Sequence, residues 1–191
     1  GTPDAGGDTP DAALADAGLV TGVVINEFVM DQNGNDTDEF VELKGEPNTD
    51  YSDLSLLQVD GDDAMGLNPG TIITVHAGCT TNVNGYCVID VNANTFQNGT
   101  QTLLLVSGNG TFQDVDIDAN DDGTIDNEPW DQLIDAVAVF DNVPDVDNTD
   151  QTYAGTSVLT KVVANDEPAA FGGASRIPDG TDTDDASDWT S

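Results

Sequence analysis

From residue 20 onward the chain is broken into short apolar runs, and this pattern constrains the fold more than any other feature. The runs "VTGVVINEFVM", "DEFVELKG", "LSLLQVDG", "GTIITVHAG", "YCVIDV", "TQTLLLVSG", "QLIDAVAVF" and "SVLTKVV" follow one another, with Gly, Asn, Asp or Pro in nearly every gap. Valine leads the apolar residues, and its branched side chain suits a pleated, half-buried strand better than a helix. Short alternating runs with turn chemistry between them predict an all-β chain of about 8–10 short, mostly antiparallel strands, a sandwich or barrel with long acidic loops. Only "NEPWDQLIDAV" suggests a short helical turn, beginning at Pro129. No repeat of fixed period is present.

Residues 1–19, "GTPDAGGDTPDAALADAGL", have a different texture. They are rich in Ala, Asp, Gly and Pro and lack apolar periodicity, so they read as an acidic linker, with at most a helical turn at "DAALADA". The expected organisation is this linker followed by one β-domain over 20–191. That domain is expected to be a monomeric part of a larger exported protein, tethered through the linker. No leader peptide is visible, and the expectation is that any such segment was removed or lies outside this sequence.

Charge narrows the setting. Against 37 Asp and Glu stand only Lys44, Lys161 and Arg176, for a net charge of −34. Self-repulsion on this scale opposes compaction unless salt or bound cations screen it. A nucleic-acid partner is excluded, because phosphate contacts need Lys and Arg, and an anionic membrane surface is disfavoured likewise. No apolar run is long enough for a membrane helix. The setting implied is a salt- or calcium-rich cell exterior, with a protein or polysaccharide as partner. Cys79 and Cys87, in "CTTNVNGYC", flank an Asn-Gly turn signal. A disulfide between them would stabilise by roughly 2.5 kcal/mol and would mark an oxidising compartment. No CxxC pair or neighbouring His points to zinc.

The densest acidic stretch, "DIDANDDGTID" at 116–126, carries a calcium-type spacing. Asp118, Asn120 and Asp122 alternate, Gly123 follows, Thr124 offers a backbone carbonyl, Ile125 anchors the loop, and Asp126 closes the series. Calcium takes six to eight hard oxygens, which alternate residues of a tight loop can supply. The twelfth position is Pro129 rather than a bidentate Glu, so Glu128 or Asp131 would have to complete the shell. Flanking helices are absent from the pattern, and the ion expected is a structural Ca2+ within a long connection. The competing reading is a solvated acidic loop in a chain full of Asp. Weaker metal candidates are "DQNGNDTDE" at 31–39 and the trio Asp179, Asp182 and Asp184.

Two stretches carry a family resemblance. "VVINEFVMDQNGNDTDEFVEL" (23–43) resembles the opening of a lamin tail domain: an Ile-Asn-Glu strand, a variable loop, then a strand with Glu, an apolar residue and Glu-Leu. "SRIPDGTDTDDASDW" (175–189) is similar to the close of bacterial members, with an Arg-x-Pro-Asp-Gly-x-Asp-Thr-Asp run and then Asp before an aromatic. The resemblance covers about residues 22–189, with "NGTQTLLLV" and "IDAVAV" in the place of the middle strands. It implies an immunoglobulin-like β-sandwich and a non-catalytic, exported binding or structural module. The chain departs from nuclear members in its acidity and in lacking a coiled-coil rod, so nuclear and DNA partners are not carried over.

Read physically, Asn26 or Glu27 in an apolar strand is expected to satisfy a loop backbone. Arg176 is expected to pair with Asp182 or Asp184 of its own turn, or with Glu27 or Glu42. Trp130 and Trp189 are expected to pack on the sandwich. His76 is the single histidine, on a strand-like run with no GxSxG or reactive Cys nearby. Two other readings compete with a calcium-stabilised module. A calcium-dependent carbohydrate-binding module would show an exposed aromatic platform near Trp130, Tyr86 or Tyr153. A metal-dependent hydrolase would show an open coordination site in a cleft. Asn35, Asn98 and Asn109 match N-x-T, which matters only in a glycosylating host.

Overall fold

The apolar runs become ten strands in the computed structural model, which describes residues 19–32, 36–62, 68–97, 99–108, 110–140, 149–160 and 172–191. They are β1 (Val24–Val29), β2 (Phe40–Lys44), β3 (Leu54–Asp60), β4 (Ile72–Ala77), β5 (Tyr86–Asp90), β6 (Gln101–Ser107), β7 (Gln132–Phe140), β8 (Val158–Thr160), β9 (Gly173–Arg176) and β10 (Trp189–Thr190). One sheet runs β10-β9-β1-β2-β5 and the other β4-β3-β6-β7-β8. All pairings are antiparallel except β7 with β8. The expected all-β sandwich is therefore present, with ten strands among the described residues.

The helical turn expected at Pro129 does not form. Gln132–Phe140 instead pairs along the whole of β6. A weak local helical pattern yields to a ladder whose Val137 and Val139 enter the core. The stretch "DAALADA" lies outside the described residues.

Two apolar layers explain the strand sequences. Between the sheets, Ile25, Phe28, Val41 and Leu43 meet Leu54, Leu56, Leu103, Leu105, Val137 and Val139. On the other face of the second sheet, Leu57, Val59, Ile72, Leu104 and Val106 form a separate cluster with Phe112, Ile117, Trp130 and Tyr153. β3 and β6 are thus buried on both faces, and "LSLL" and "TLLLV" read as near-continuous apolar runs for that reason. Segment 110–131 is a third layer over the second sheet, not a free loop. The expected disulfide is formed, with Cys79 and Cys87 Cα atoms 6.0 Å apart. It joins β5 to the connection that precedes it.

Candidate functional site

The calcium-like loop is built on Ile117, which is fully buried in the second core. Its N–H donates to Gly70 O at 2.9 Å, and its carbonyl accepts from Asp126 N at 2.8 Å and Asn127 N at 3.1 Å, so the loop is cinched at its base. Asp118 follows inward. Its Oδ1 accepts from Asp122 N at 3.1 Å, and its Oδ2 accepts from Gly123 N at 2.8 Å and from the Tyr153 hydroxyl at 3.0 Å. Asn120 Oδ1 also accepts from Asp122 N, at 3.1 Å, and Asp122 Oδ1 accepts from Thr124 N at 2.9 Å. Gly123 has φ +80°, a conformation that favours glycine, whereas a Cβ there would meet only the movable end of the Gln151 side chain.

Asp118 and Asn120 therefore share the Asp122 N–H, whereas Asp122 takes the Thr124 N–H. Thr124 and Asp126 join through their backbone. Glu128 and Asp131 are exposed at the exit, with Asp131 N donating to Ser107 O at 2.9 Å. Among the described residues, no three acidic, cysteine or histidine side chains form a ready cation cage. The donors are nonetheless hard oxygens in an anionic field. Burial raises the Tyr153 pKa far above the ordinary phenol range, and the bond to Asp118 and the charges of Asp118, Asp121 and Asp116 raise it further.

The weaker metal candidates are drawn to separate partners. In 31–39, Asp36 Oδ1 accepts from Gln32 N at 2.8 Å, and Glu39 Oε2 accepts from Thr95 N at 2.7 Å. Residues 33–35 lie outside the described residues. Asp179 Oδ2 accepts from the Tyr86 hydroxyl at 2.6 Å, whereas Asp182 Oδ1 sits 3.1 Å from Arg176 Nη1.

Arg176 proves to be the central polar group. It is fully buried. Nε donates to Ile25 O at 2.8 Å, and Nη1 donates to Thr181 O at 2.7 Å and Asp188 Oδ2 at 3.3 Å. Nη2 reaches both oxygens of Asp135, at 3.0 and 3.1 Å. The guanidinium also lies 4.5 Å from the Trp189 ring centroid, and Trp189 packs on Phe28. One side chain thereby ties β9 and β1 of the first sheet to β7 of the second. Asp135 also accepts from Ile25 N at 2.7 Å. Burial pushes its pKa up to about 6, against the opposing pull of Arg176.

Of the partners expected for Arg176, Asp182 is one. Asp184, Glu27 and Glu42 are not among its ion pairs. Glu42 Oε1 instead accepts from Asn26 Nδ2 at 2.9 Å, and Asn26 Oδ1 accepts from Gly180 N at 2.8 Å, which meets the expectation that Asn26 serves a loop backbone. Sequence reasoning missed Asp135 and Asp188. A signal existed for Asp135, the one charge inside "QLIDAVAVF": a buried aspartate needs a cation, and the chain has three.

Trp130 and Tyr153 are buried in the second core, and Trp189 is half-buried, so neither tryptophan is a free platform. Tyr86 is half-exposed, but Lys44 Nζ lies 4.2 Å over its ring. His76 sits on the outer strand β4, its Nε2 buried without a hydrogen-bond partner and its pKa lowered by burial. Asn35, Asn98 and Asn109 fall outside the described residues. The chain matches no family model, no curated protein and no solved structure.

Proposed function

We propose that the chain is a non-catalytic, exported or surface-tethered accessory module of the lamin-tail type, an immunoglobulin-like scaffold serving adhesion or display. The observation that carries this reading is where the motif residues of the two end stretches go. Arg176 bonds to Asp182, Asp188 and Asp135 in closing the sandwich, and Asn26 bonds to Glu42 and Gly180 within the first sheet and its closing turn. Arg176, Asp135 and Asp188 are thereby occupied as structural partners. Calcium enters as a structural ion on the loop of Asp118, Asn120, Asp122, Thr124 and Asp126, where it would neutralise part of the field beneath Tyr153 and pin the third layer to the second core. Burial of Trp130 and Tyr153 takes support from the carbohydrate reading.

Calorimetric titration with calcium tests the ion, and Asp118→Ala with Asp122→Ala tests its place. One site per chain that vanishes in both variants is the expected result. Uptake unaffected by either variant contradicts the assignment. Turnover of a phosphodiester, ester or glycoside that co-purifies with the chain and is lost on chelation would overturn the non-catalytic reading.

A further inference from the structure

The turn ahead of β5 places a reactive peptide bond inside a covalent ring. Asn84 is followed by Gly85, and the Cys79–Cys87 disulfide closes the chain around both. Asparagine before glycine is open to attack by the next backbone nitrogen on its own side chain, because glycine has no Cβ to shield that nitrogen. The turn cannot discard this glycine easily. Gly85 has φ +84°, and a Cβ there would run into the carbonyl oxygen of Gly45.

Attack needs Gly85 N freed from its hydrogen bond and the Asn84 backbone rotated to bring that nitrogen onto Cγ. Asn84 is exposed, so its amide is within reach of water, but Gly85 is buried. Gly85 N donates to Asn82 O at 2.9 Å, which makes Asn84 the third residue of a four-residue turn. Asn82 Oδ1 accepts from Asn84 N at 2.8 Å and from Tyr86 N at 3.3 Å. Neighbouring chain grips the turn from outside. Gly45 N donates to Gly85 O at 2.8 Å, and Lys44 Nζ donates to Asn84 O at 2.6 Å. Cys87 is fixed in β5 opposite Leu43, whereas Cys79 lies in the preceding connection and is half-buried. The disulfide thus restricts the opened states of the ring, and those are the states in which Gly85 N is free.

We propose that Asn84 is a deamidation site gated by the Cys79–Cys87 disulfide. In an oxidising exterior the ring stays closed and Asn84 is protected. A dithiol reductant opens it: one thiolate attacks Sγ of Cys79 and releases Cys87, and the second thiol frees Cys79 as the reductant closes to its own cyclic disulfide. Gly85 N, giving up its proton to water, then bonds to Asn84 Cγ. The Cγ–Nδ2 bond breaks and ammonia leaves. Water opens the resulting succinimide at either carbonyl, to aspartate or to isoaspartate. Both products put a carboxylate at position 84, beside Lys44. Isoaspartate also adds a methylene to the backbone, so Gly85 cannot keep both Asn82 O and Gly45 N. Re-oxidation restores the disulfide but not the turn, and exposure to thiols is recorded irreversibly at the entry to β5.

The test incubates the full chain at mildly alkaline pH with and without dithiothreitol, with thiols counted by alkylation. Deamidation is read at Asn84 by peptide mapping, from the mass gain of carboxylate over amide. The free peptide acetyl-Thr-Thr-Asn-Val-Asn-Gly-Tyr-amide gives the ungated rate. The oxidised chain is expected to react roughly tenfold or more slowly than the peptide, and the reduced chain to approach it. Cys79→Ser with Cys87→Ser is expected to react quickly without dithiothreitol. Should that variant unfold, the reduced native sequence still decides, because Asn33, Asn98 and Asn109 also precede glycine and serve as references within the chain. Equal rates at Asn84 with and without reductant would overturn the proposal. So would a disulfide that dithiothreitol does not open in the folded chain, or a reductant effect of equal size at all four asparagines, which is the mark of global unfolding rather than a local gate.

Discussion

Replacing Arg176 by Met removes the charge and the five-donor fork while keeping much of the stem, and it exposes how far the sandwich depends on one cation. Asp135 would be left in a buried site with only the N–H groups of Ile25 and Ala136 as donors. Breaking a buried ion pair from one side costs about 3–5 kcal/mol, because the remaining charge is uncompensated. The carbonyls of Ile25 and Thr181 lose a donor too, each worth about 1 kcal/mol. Domains of this kind have only about 5–15 kcal/mol in total, so the variant sits near the edge of folding. Urea unfolding followed by tryptophan fluorescence suits the question, since Trp189 lies against Arg176. Removing the stranded carboxylate as well, with Asp135→Leu, should restore part of the loss, so the double variant should be more stable than Arg176→Met alone. A loss below about 1 kcal/mol for Arg176→Met, or strict additivity of the two substitutions, would refute the clamp as the element that closes the fold.

Three further outcomes are expected. Cys79→Ser with Cys87→Ser should lower stability by roughly 2.5 kcal/mol in the chain-entropy model, read as a shift in urea midpoint at unchanged slope. Asp118→Ala strips the acceptor from Gly123 N and the Tyr153 hydroxyl, leaving Asp122 N only Asn120 Oδ1; it should cost about 2–3 kcal/mol and speed amide exchange at Gly123, whereas unchanged exchange would deny Asp118 its place. Stability should also fall between mildly acid and neutral pH. The Asp135 pKa rises from 3.8 unfolded to about 6 folded, and those of Asp60 and Glu39 are raised by burial, so their contribution is full below the unfolded values and is lost as pH climbs through the folded ones. Asp188, Asp185 and Asp50 are held low by their hydrogen bonds and act only on the acid side, losing their contribution as pH falls. A higher urea midpoint at pH 7.5 than at pH 5 would contradict this.

The strands were legible because their chemistry is local. "VVINEFV", "FVELK" and "CVID" carry alternation and turn residues that survive in any tertiary setting, and the Cys79–Cys87 pair sits across its own turn. The second core was not legible. Phe112, Ile117 and Trp130 are spread at irregular spacing among aspartates, so nothing periodic marks 110–131 as a layer. For the same reason, two-sided burial of β3 and β6 could be read as apolar density but not assigned to a cover. Arg176 shows the boundary within one residue. Asp182 lies in its own turn and was readable, whereas Asp135 is 41 residues away and becomes a neighbour only once the sheets stack. The parallel β7–β8 pairing has no signature in either strand.

Thermal unfolding in calcium and in chelator, at one ionic strength, bears most directly on the account of a calcium-pinned third layer. An ion bound by the native state alone raises the midpoint with its concentration, by about 2.7 kcal/mol of stability at a hundredfold excess over the dissociation constant. The account predicts that rise, with no replacement by sodium and none in Asp118→Ala. Identical midpoints in calcium and chelator would contradict it.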